Sequence, residues 1–461
     1  MPSMTVALGG GQRSNHEPPN VLLIAIDDMN DWIGCLHGHS GGYSPNIDRL
    51  AKRGTLFANA HCQAPICNPS RTSIMYGLRP SGTGVYMNSP KPWSIPAMST
   101  CITLPRWFAK HGYHTMTAGK IYHGSGLPTG DFDHVGPRPG QRFKTDTRIR
   151  KDLPKGVAGL WDFGPQHYED SKFPDHIDAT WAIEQLEKEH AKPFFLAVGF
   201  YRPHVPWYAP DRIFKDFPLD EIALPPVKDN DRDDIPPVAF EVSHVSSPPP
   251  HAWFVEHNAW KPAIQSYLSC IQWTDEQVGR LVAALDQSEY AQNTIVVLYS
   301  DHGFHLGEKQ RWVKFSLWER STHVPFILYV PGRFGGTTVQ KPTELLSIYP
   351  TLVELCGLPP NDAVEGRSLI PLLEKPDSDW PYPALTTHGY KNHALRSERY
   401  RYIRYYDGSE ELYDMQTDPN EWENLASEHR LPRHQAIIDQ FTPYLPTQNH
   451  AQQHGGARKR K

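Results

Sequence analysis

Three apolar runs without polar interruption mark the chain: Val21-Leu22-Leu23-Ile24-Ala25-Ile26, Phe194-Phe195-Leu196-Ala197-Val198-Gly199-Phe200 and Thr294-Ile295-Val296-Val297-Leu298-Tyr299. A strand with one wet face alternates apolar and polar residues. An unbroken run reads instead as a strand covered on both faces, as in parallel sheets lying between helix layers. The second and third runs each follow a helical pattern. Ala179, Ala182, Ile183 and Leu186 recur at i, i+3, i+4, i+7, and so do Val278, Leu281, Val282 and Leu285. Helix then strand, repeated, predicts an α/β fold with a large, mostly parallel sheet sandwiched by helices. Ligands in such sheets bind beyond the carboxyl ends of the strands. Each run leads into candidate chemistry there: Asp27-Asp28, His204, and Asp301-His302.

Two stretches, Gly124 to Pro165 and Pro218 to Pro262, lack regular periodicity and are rich in Gly/Pro and Pro/Asp. They read as long rim loops. Near Asn361 the character changes. Arg399 to Tyr405 alternates with period two, and Glu411-Leu412-Tyr413 follows Asp407-Gly408. This predicts a β-hairpin turning at Asp407-Gly408, the centre of a smaller α+β domain with an antiparallel sheet. The expected divisions are a disordered segment at 1–19, a catalytic domain at 20–360, the smaller domain at 361–445 and a disordered basic tail at 446–461.

Composition narrows the classes. With 461 residues, 39% hydrophobic, and 13 Trp, 21 Tyr and 18 Phe, the chain can bury a large core. A net charge of -5 gives no bulk attraction for nucleic acid. No apolar run is long enough to span a membrane. Met1 to Asn20 lacks the charged-then-apolar pattern of a signal peptide, so the chain as given reads as cytoplasmic. Six cysteines without a C-x-x-C pair do not make a disulfide scaffold, and the five other than Cys67 read as small buried hydrophobes.

Five segments carry chemistry. Asp27-Asp28 sets two carboxylates side by side, an arrangement suited to a hard divalent cation. Cys67-Asn68-Pro69-Ser70-Arg71 is a cysteine followed two residues on by Pro-Ser-Arg. Gly119-Lys120-Ile121-Tyr122-His123 offers a fixed cation and an imidazole three residues later, for anion stabilisation and proton transfer. His204 stands between Pro203 and Pro206 in a restrained segment. Ser300-Asp301-His302-Gly303 could complete the cation site, and Lys314 adds a second cation. His305 is either pocket lining or packing. The run from Arg138 to Lys155 carries Arg138, Arg142, Lys144, Arg148, Arg150, Lys151 and Lys155 against Asp146 and Asp152, either a basic rim for an anionic saccharide or a solvated loop. Trp207 and Trp253 are compatible with sugar stacking.

Together with Ser44-Pro45-Asn46-Ile47-Asp48-Arg49-Leu50-Ala51, these motifs resemble the type I, formylglycine-dependent sulfatase family. Gly119 to His123, Ala197 to His204, Gln277 to Leu281 and Thr322 to Pro325 are similar to its iduronate-2-sulfatase-like branch, and Glu411 to Asp414 with Asp418 to Glu421 is typical of family members. His302, where many members have Asn, also fits that branch. Tyr76 and Leu78 depart from the family pattern at positions that carry no chemistry. The resemblance implies an alkaline-phosphatase-like fold and a sulfuric ester hydrolase. Cys67 would be oxidised to formylglycine by a formylglycine-generating or anaerobic sulfatase-maturating enzyme. The hydrated aldehyde would attack sulfur, giving a covalent sulfo-enzyme intermediate. Ca²⁺ would be held by Asp27, Asp28, Asp301, His302 and the modified Cys67. Lys120 and Lys314 would contact the sulfate and Arg71 would support the hydrate. His204 would protonate the leaving alcohol, and His123 would take the proton from the remaining hydroxyl. The implied substrate is a sulfated saccharide, and export to the periplasm or outside would fit the family. Open alternatives are a phosphodiester or phosphonate monoester hydrolase, a choline-sulfatase-like enzyme, and a silent metal-dependent carbohydrate-binding protein.

Overall fold

The structure, a computed structural model, describes residues 18–137, 148–157, 159–427 and 430–453. Among these, eight strands form the main sheet: β1 Asn20–Asp27, β2 Thr55–Phe57, β3 His114–Gly119, β4 His134–Val135, β5 Phe194–Pro203, β6 Thr294–Ser300, β7 Phe326–Tyr329 and β8 Thr337–Val339. Their order is β8-β2-β7-β6-β1-β5-β3-β4. Only β7 runs against its neighbours, β2 and β6, so the sheet is mixed and mostly parallel as predicted.

The unbroken apolar runs have their expected cause. Leu22, Ile24 and Ile26 of β1 enter a core shared with helices α1 Pro45–Arg53, α3 Pro174–Leu186 and α4 Trp260–Gln287. Val21, Leu23 and Ala25 enter a second core on the opposite face, which includes Ile74 and Met75 of helix α2 Cys67–Tyr76. With both faces buried, every position from Val21 to Ile26 is apolar, and polar residues stand only at the strand's two ends, Asn20 and Asp27.

The predicted hairpin is real and grows to a four-stranded antiparallel meander: β9 Ala384–Thr387, β10 His393–Arg396, β11 Tyr400–Arg404 and β12 Glu410–Asp414. Helix α5 Pro432–Phe441 covers one face through Ile438 and Phe441 against Leu395, Tyr402 and Leu412. The other face places Ala394, Ile403 and Tyr413 on Leu317 and Trp318 of the main domain. Arg401, fully buried in β11, ties this junction by bonding the Leu317 carbonyl and the Glu319 carboxylate.

Several expectations need correction. The stretch Pro218 to Pro262 holds two short helices, Pro237–Ser243 and His251–Glu256, and ends inside the first turn of α4. Leu369, Leu372 and Leu373 pack into the main core, so the smaller domain begins nearer β9 than Asn361. Trp207 and Trp253 are buried core residues rather than sugar platforms, because aromatic neighbours such as Trp161 and Phe254 close over them. Cys35 and Cys101 are only half-buried, while Cys62, Cys270 and Cys356 are buried. The expected disordered tail is instead laid against the body as far as Gln453. The His450 amide bonds the Ser81 carbonyl at 2.8 Å, the Tyr86 hydroxyl bonds the His450 carbonyl at 2.8 Å, and the Gln453 amide bonds the Gly84 carbonyl at 2.9 Å. The remainder of that call, 454–461, lies outside the described residues, as does 1–17 of the N-terminal call.

Candidate active site

Because β1, β5 and β6 run parallel in register, their carboxyl ends open at one edge, and the predicted chemistry collects there. Asp27 closes β1. Asp28 turns away in the left-handed region (φ 65°), held by the Tyr267 hydroxyl on its carbonyl at 2.7 Å. Asp301 and His302 follow β6, and the Asp301 amide extends the ladder to the Ile26 carbonyl at 3.0 Å. Cys67 opens α2, a helix buried along its whole length.

Ligating atoms of Asp27, Asp28, Cys67 and His302 lie within 4.8 Å of one another. Asp301 stands beside them, 3.6 Å from His302 Nε2, with Oδ2 on Arg71 Nε at 2.7 Å. His302 Nδ1 is 3.1 Å from the Gly303 carbonyl, which can only accept. The ring proton therefore belongs on Nδ1 and the Nε2 lone pair faces the cluster, the tautomer a metal ligand needs. Asp27 Oδ1 and Asp28 Oδ2 are buried without a hydrogen-bond partner. Buried orphan carboxylate oxygens are costly unless something binds them. Three oxygen or sulfur donors, two of them carboxylates with an orphan oxygen, and one imidazole fit a divalent cation.

The cations converge on the same point. Lys120 bonds Asp27, and its ammonium lies over the Tyr201 ring at 5.2 Å. Lys314 reaches Asp28 Oδ1 at 2.5 Å and Cys67 Sγ at 3.4 Å. Arg71 is a fully buried clamp, holding Asp301, standing 3.4 Å from Asp27, and donating to the carbonyls of Lys120 and Ile121. Its Nη2 keeps no hydrogen-bond partner. Burial alone would push the Cys67 thiol up. Lys120, Lys314 and His302, together with a hydrogen bond from His123, outweigh it and hold the thiol well below its ordinary value. Burial works against a charged His302, yet the Asp301 carboxylate holds it up at about 9, so a cation taking the Nε2 lone pair would have to displace the proton from that nitrogen. Position 67 is thus built for an anionic or strongly polarised oxygen or sulfur.

Two imidazoles remain free to move protons. His123 is half-buried beside Cys67, its Nδ1 without a hydrogen-bond partner. Its neighbour Tyr122 is locked in the core by Asp131 at 2.5 Å. His204 Nδ1 donates to the Val205 carbonyl at 2.6 Å, which leaves Nε2 facing the centre, 3.9 Å from Asp28 Oδ2. The structure therefore brings together every residue singled out for catalysis or metal binding. It does not bring His305, which is buried with Nε2 on the Ser316 hydroxyl at 3.0 Å and serves packing. In the basic run, Arg150 is paired with Asp152 at 2.6 Å, and Arg138, Arg142 and Lys144 lie outside the described residues.

Some contributors carry no sequence signal. Asn68, next to Cys67, fastens the loop opposite by donating to the carbonyls of Met87 and Pro90. Tyr267 looks like an ordinary core position of α4. Gly119 and Gly199 approach so closely that a Cβ on Gly119 would stand 2.1 Å from the Gly199 carbonyl oxygen. That contact, with φ +70° at Gly119, lets the chain leave β3 and turn Lys120 inward.

Known proteins resemble this chain in sequence and in fold. The family pattern described as Sulfatase matches residues 19–358, and that of the N-sulphoglucosamine sulphohydrolase C-terminal region matches 307–450. A sulfatase of Formosa agariphila is 41% identical over 446 residues, covering 94% of this chain and 87% of its own. Human iduronate 2-sulfatase is 34% identical over 427 residues, covering 80% and 76%. Among solved structures, the phosphonate monoester hydrolase of Agrobacterium radiobacter superposes with a TM-score of 0.75 at 22% identity, covering 93% of this chain and 96% of its own. A structure in complex with its substrate D-glucosamine-2-N,6-O-disulfate gives 0.73 at 21%, covering 93% and 97%. At these identities the structural likeness is one of fold.

Proposed function

Because this chain belongs to the sulfatase family and is a sulfuric ester hydrolase, we propose that it removes a sulfate ester from a saccharide, using a hydrated aldehyde made from Cys67 and a Ca²⁺ ion. The saccharide class rests on relatives whose names specify such substrates: iduronate 2-sulfatase and an ulvan-active sulfatase. The observation that carries the chemistry is the setting of Cys67. Its Sγ stands where the oxygens of the hydrate would be, 3.2 Å from His302 Nε2 and 3.4 Å from Lys314 Nζ, with His123 at hand.

Asp27, Asp28, Asp301, His302 and the converted residue 67 would hold the ion, which would supply Lewis-acid polarisation of a sulfate oxygen. The aldehyde hydrate would supply a nucleophilic hydroxyl and, in its second hydroxyl, a means of its own release. The remaining work falls to encoded side chains. Lys120 and Lys314 are buried ammoniums that can follow charge as it develops on the sulfate oxygens, where low dielectric strengthens them. Arg71 fixes Asp301 through Nε, and its Nη2 stands as an ion-pair partner 3.4 Å from Asp27 Oδ1. His204 must deliver its proton from Nε2, since Nδ1 is committed to Val205, so it acts as an acid only when doubly protonated. His123, in contact with residue 67, is placed to accept a proton from it.

The test pairs mass with turnover. Protein made alongside a sulfatase-maturating enzyme should be lighter by about 18 mass units at Cys67, sulfur and two hydrogens leaving and oxygen entering. That protein should turn over a small aryl sulfate and a sulfated disaccharide repeatedly. Cys67→Ser has one hydroxyl and cannot expel a captured sulfuryl group, so it should stop after a single event. Multiple turnover by Cys67→Ser at the wild-type rate would sink the proposal.

A further inference from the structure

The turn between β9 and β10 is where the small domain meets the segments that carry Cys67. Two contacts place it. The Tyr390 ring stands 6.4 Å from that of Tyr86, edge to face. The residue after Tyr86 is Met87, whose carbonyl accepts from Asn68, the neighbour of Cys67, at 2.9 Å. The His388 ring stands 6.1 Å from that of Phe315, again edge to face. Phe315 follows Lys314, and its amide bonds the carbonyl of Pro65, two residues before Cys67, at 3.1 Å. The turn is thus braced on both sides of Cys67, through Asn68 on one and through Pro65 on the other.

The turn is stiffly built. The His388 amide bonds the Asn392 carbonyl at 3.0 Å, Asn392 Nδ2 returns to the His388 carbonyl at 2.9 Å, and Asn392 Oδ1 accepts the Tyr406 amide at 3.0 Å. His388 Nε2 donates to the Val242 carbonyl at 3.0 Å. Within this frame Lys391 has a φ of 62°. Glycine takes that conformation freely, and a residue with a side chain pays strain for it. A lysine standing there directs attention to what its side chain does. Its ammonium lies over the Tyr390 ring at 5.2 Å, and among the described residues it has no carboxylate partner. Both Tyr390 and Lys391 are exposed. The cations of the centre are committed instead: Lys120 to Asp27, Lys314 to Asp28, and Arg71 to Asp27 and Asp301. Lys391 is therefore a positioned positive charge at the rim for which the protein supplies no anion.

We infer that Lys391 holds a second anionic group of the substrate, a carboxylate or a further sulfate, on the saccharide unit beside the sulfate being removed. The inference rests on the sulfatase reading and narrows its substrate class to a saccharide with at least two anionic groups. A small monoester such as an aryl sulfate has nothing for Lys391 to hold.

The test uses Lys391→Gln, Lys391→Arg and Lys391→Gly, with Lys341→Gln as control, since Lys341 is paired with Glu398 at 2.8 Å. Binding is measured by fluorescence anisotropy on the full chain with Ca²⁺ and with Cys67 unconverted, so that nothing turns over. The labelled probes are a heparin-type tetrasaccharide, its carboxyl-reduced form, its fully desulfated form, and neutral maltotetraose. Lys391→Gln should weaken tetrasaccharide binding about fivefold at low salt, the size of a good exposed ion pair, and the difference should fade toward molar NaCl. Lys391→Arg should keep the affinity and Lys341→Gln should not change it. Lys391→Gly should lose as much as Lys391→Gln while its Tm stays level or rises, because the backbone is relieved. A difference that survives on the carboxyl-reduced probe identifies the anion as sulfate, and one that survives on the desulfated probe identifies it as carboxylate. Tetrasaccharide binding that Lys391→Gln leaves unchanged, or wild-type binding no tighter than to maltotetraose, overturns the inference. With converted enzyme, Lys391→Gln should raise KM for the tetrasaccharide more than for an aryl sulfate, and an equal loss on both also overturns it. Lys391-dependent binding without sulfate release from either substrate would count against the sulfatase reading alone. Normal aryl sulfate turnover with Lys391-independent binding would count against Lys391 alone.

Discussion

Replacing Gly119 by alanine separates the two demands placed on the exit from β3. A side chain at φ +70° costs about 1–2 kcal/mol, partly offset by about 0.4–1 kcal/mol from the stiffer unfolded chain. The same sum applies to Gly112, which has φ +92° and nothing within 4 Å of where its Cβ would stand. Gly112→Ala should therefore lose about 1 kcal/mol and keep its activity. At Gly119 the new methyl would sit 2.1 Å from the Gly199 carbonyl oxygen and 2.8 Å from Asp178 Oδ2. Relief to an ordinary contact moves one strand end by more than about 1 Å, with an overpacking cost of about 1–3 kcal/mol. The displaced unit includes Lys120, whose amide is fastened to that same Gly199 carbonyl at 2.8 Å. A 1 Å misplacement at a reacting centre is worth on the order of 100-fold in rate. Urea unfolding and aryl sulfate kcat/KM on wild type, Gly112→Ala and Gly119→Ala decide it. If Gly119→Ala loses no more stability than Gly112→Ala and keeps kcat/KM within a few-fold, the account of how Lys120 is aimed is wrong.

Other outcomes are expected elsewhere. Lys314→Met removes a buried ammonium from both Asp28 and residue 67. Its kcat should fall on the order of 100- to 1000-fold, and a fall under threefold would remove Lys314 from the chemistry. Chelation should lower Tm and abolish turnover, and Ca²⁺ should restore both in proportion to its concentration. A Tm indifferent to Ca²⁺ would refute the cation site. Asp275 of α4 accepts the Asn46 and Ile47 amides, capping α1 from outside. Burial, aided by Asp48, pushes its carboxyl up to about 6, against those hydrogen bonds. Since the folded value lies above the unfolded 3.8, the folded state holds the extra proton between pH 3.8 and 6. The contribution of Asp275 is therefore largest below that window, and about 3 kcal/mol is lost as pH rises through it. Unfolding free energies of wild type and Asp275→Asn measured from pH 4 to 7 should converge or cross accordingly, and parallel curves would exclude the shift.

The parts that could be read in the sequence were those whose cause is local. A strand buried on both faces must be apolar throughout, so β1, β5 and β6 announced themselves, and their ends delivered Asp27, Asp28, Asp301 and His302 to one edge. The hairpin of β11 and β12 was legible because its turn needs Asp407-Gly408. What escaped depends on partners far along the chain. Tyr267 braces Asp28 across 239 positions, and a tyrosine at a helical core spacing gives no hint of that. Trp207 and Trp253 sit in proline-rich surroundings that look like exposed loop, yet tertiary neighbours bury them. The last stretch to Gln453 is polar and weakly patterned, and main-chain pairing, which sequence does not encode residue by residue, holds it.

The burial of α2 has a consequence in time. Cys67, Ser70 and Arg71 are about 1% exposed or less, so no second enzyme can grip them in the finished fold. But the groups that seal them come late: the bond from Arg71 to Asp301 spans 230 positions, and that from Lys314 to Cys67 spans 247. At roughly 5–20 residues per second of synthesis, about 10–50 seconds pass between the emergence of the pentapeptide and of its cover. The crossover topology that makes the sheet parallel thus also keeps a clock. Any conversion of Cys67 would belong to that interval, and a chain that folds first would have to reopen before it could be converted.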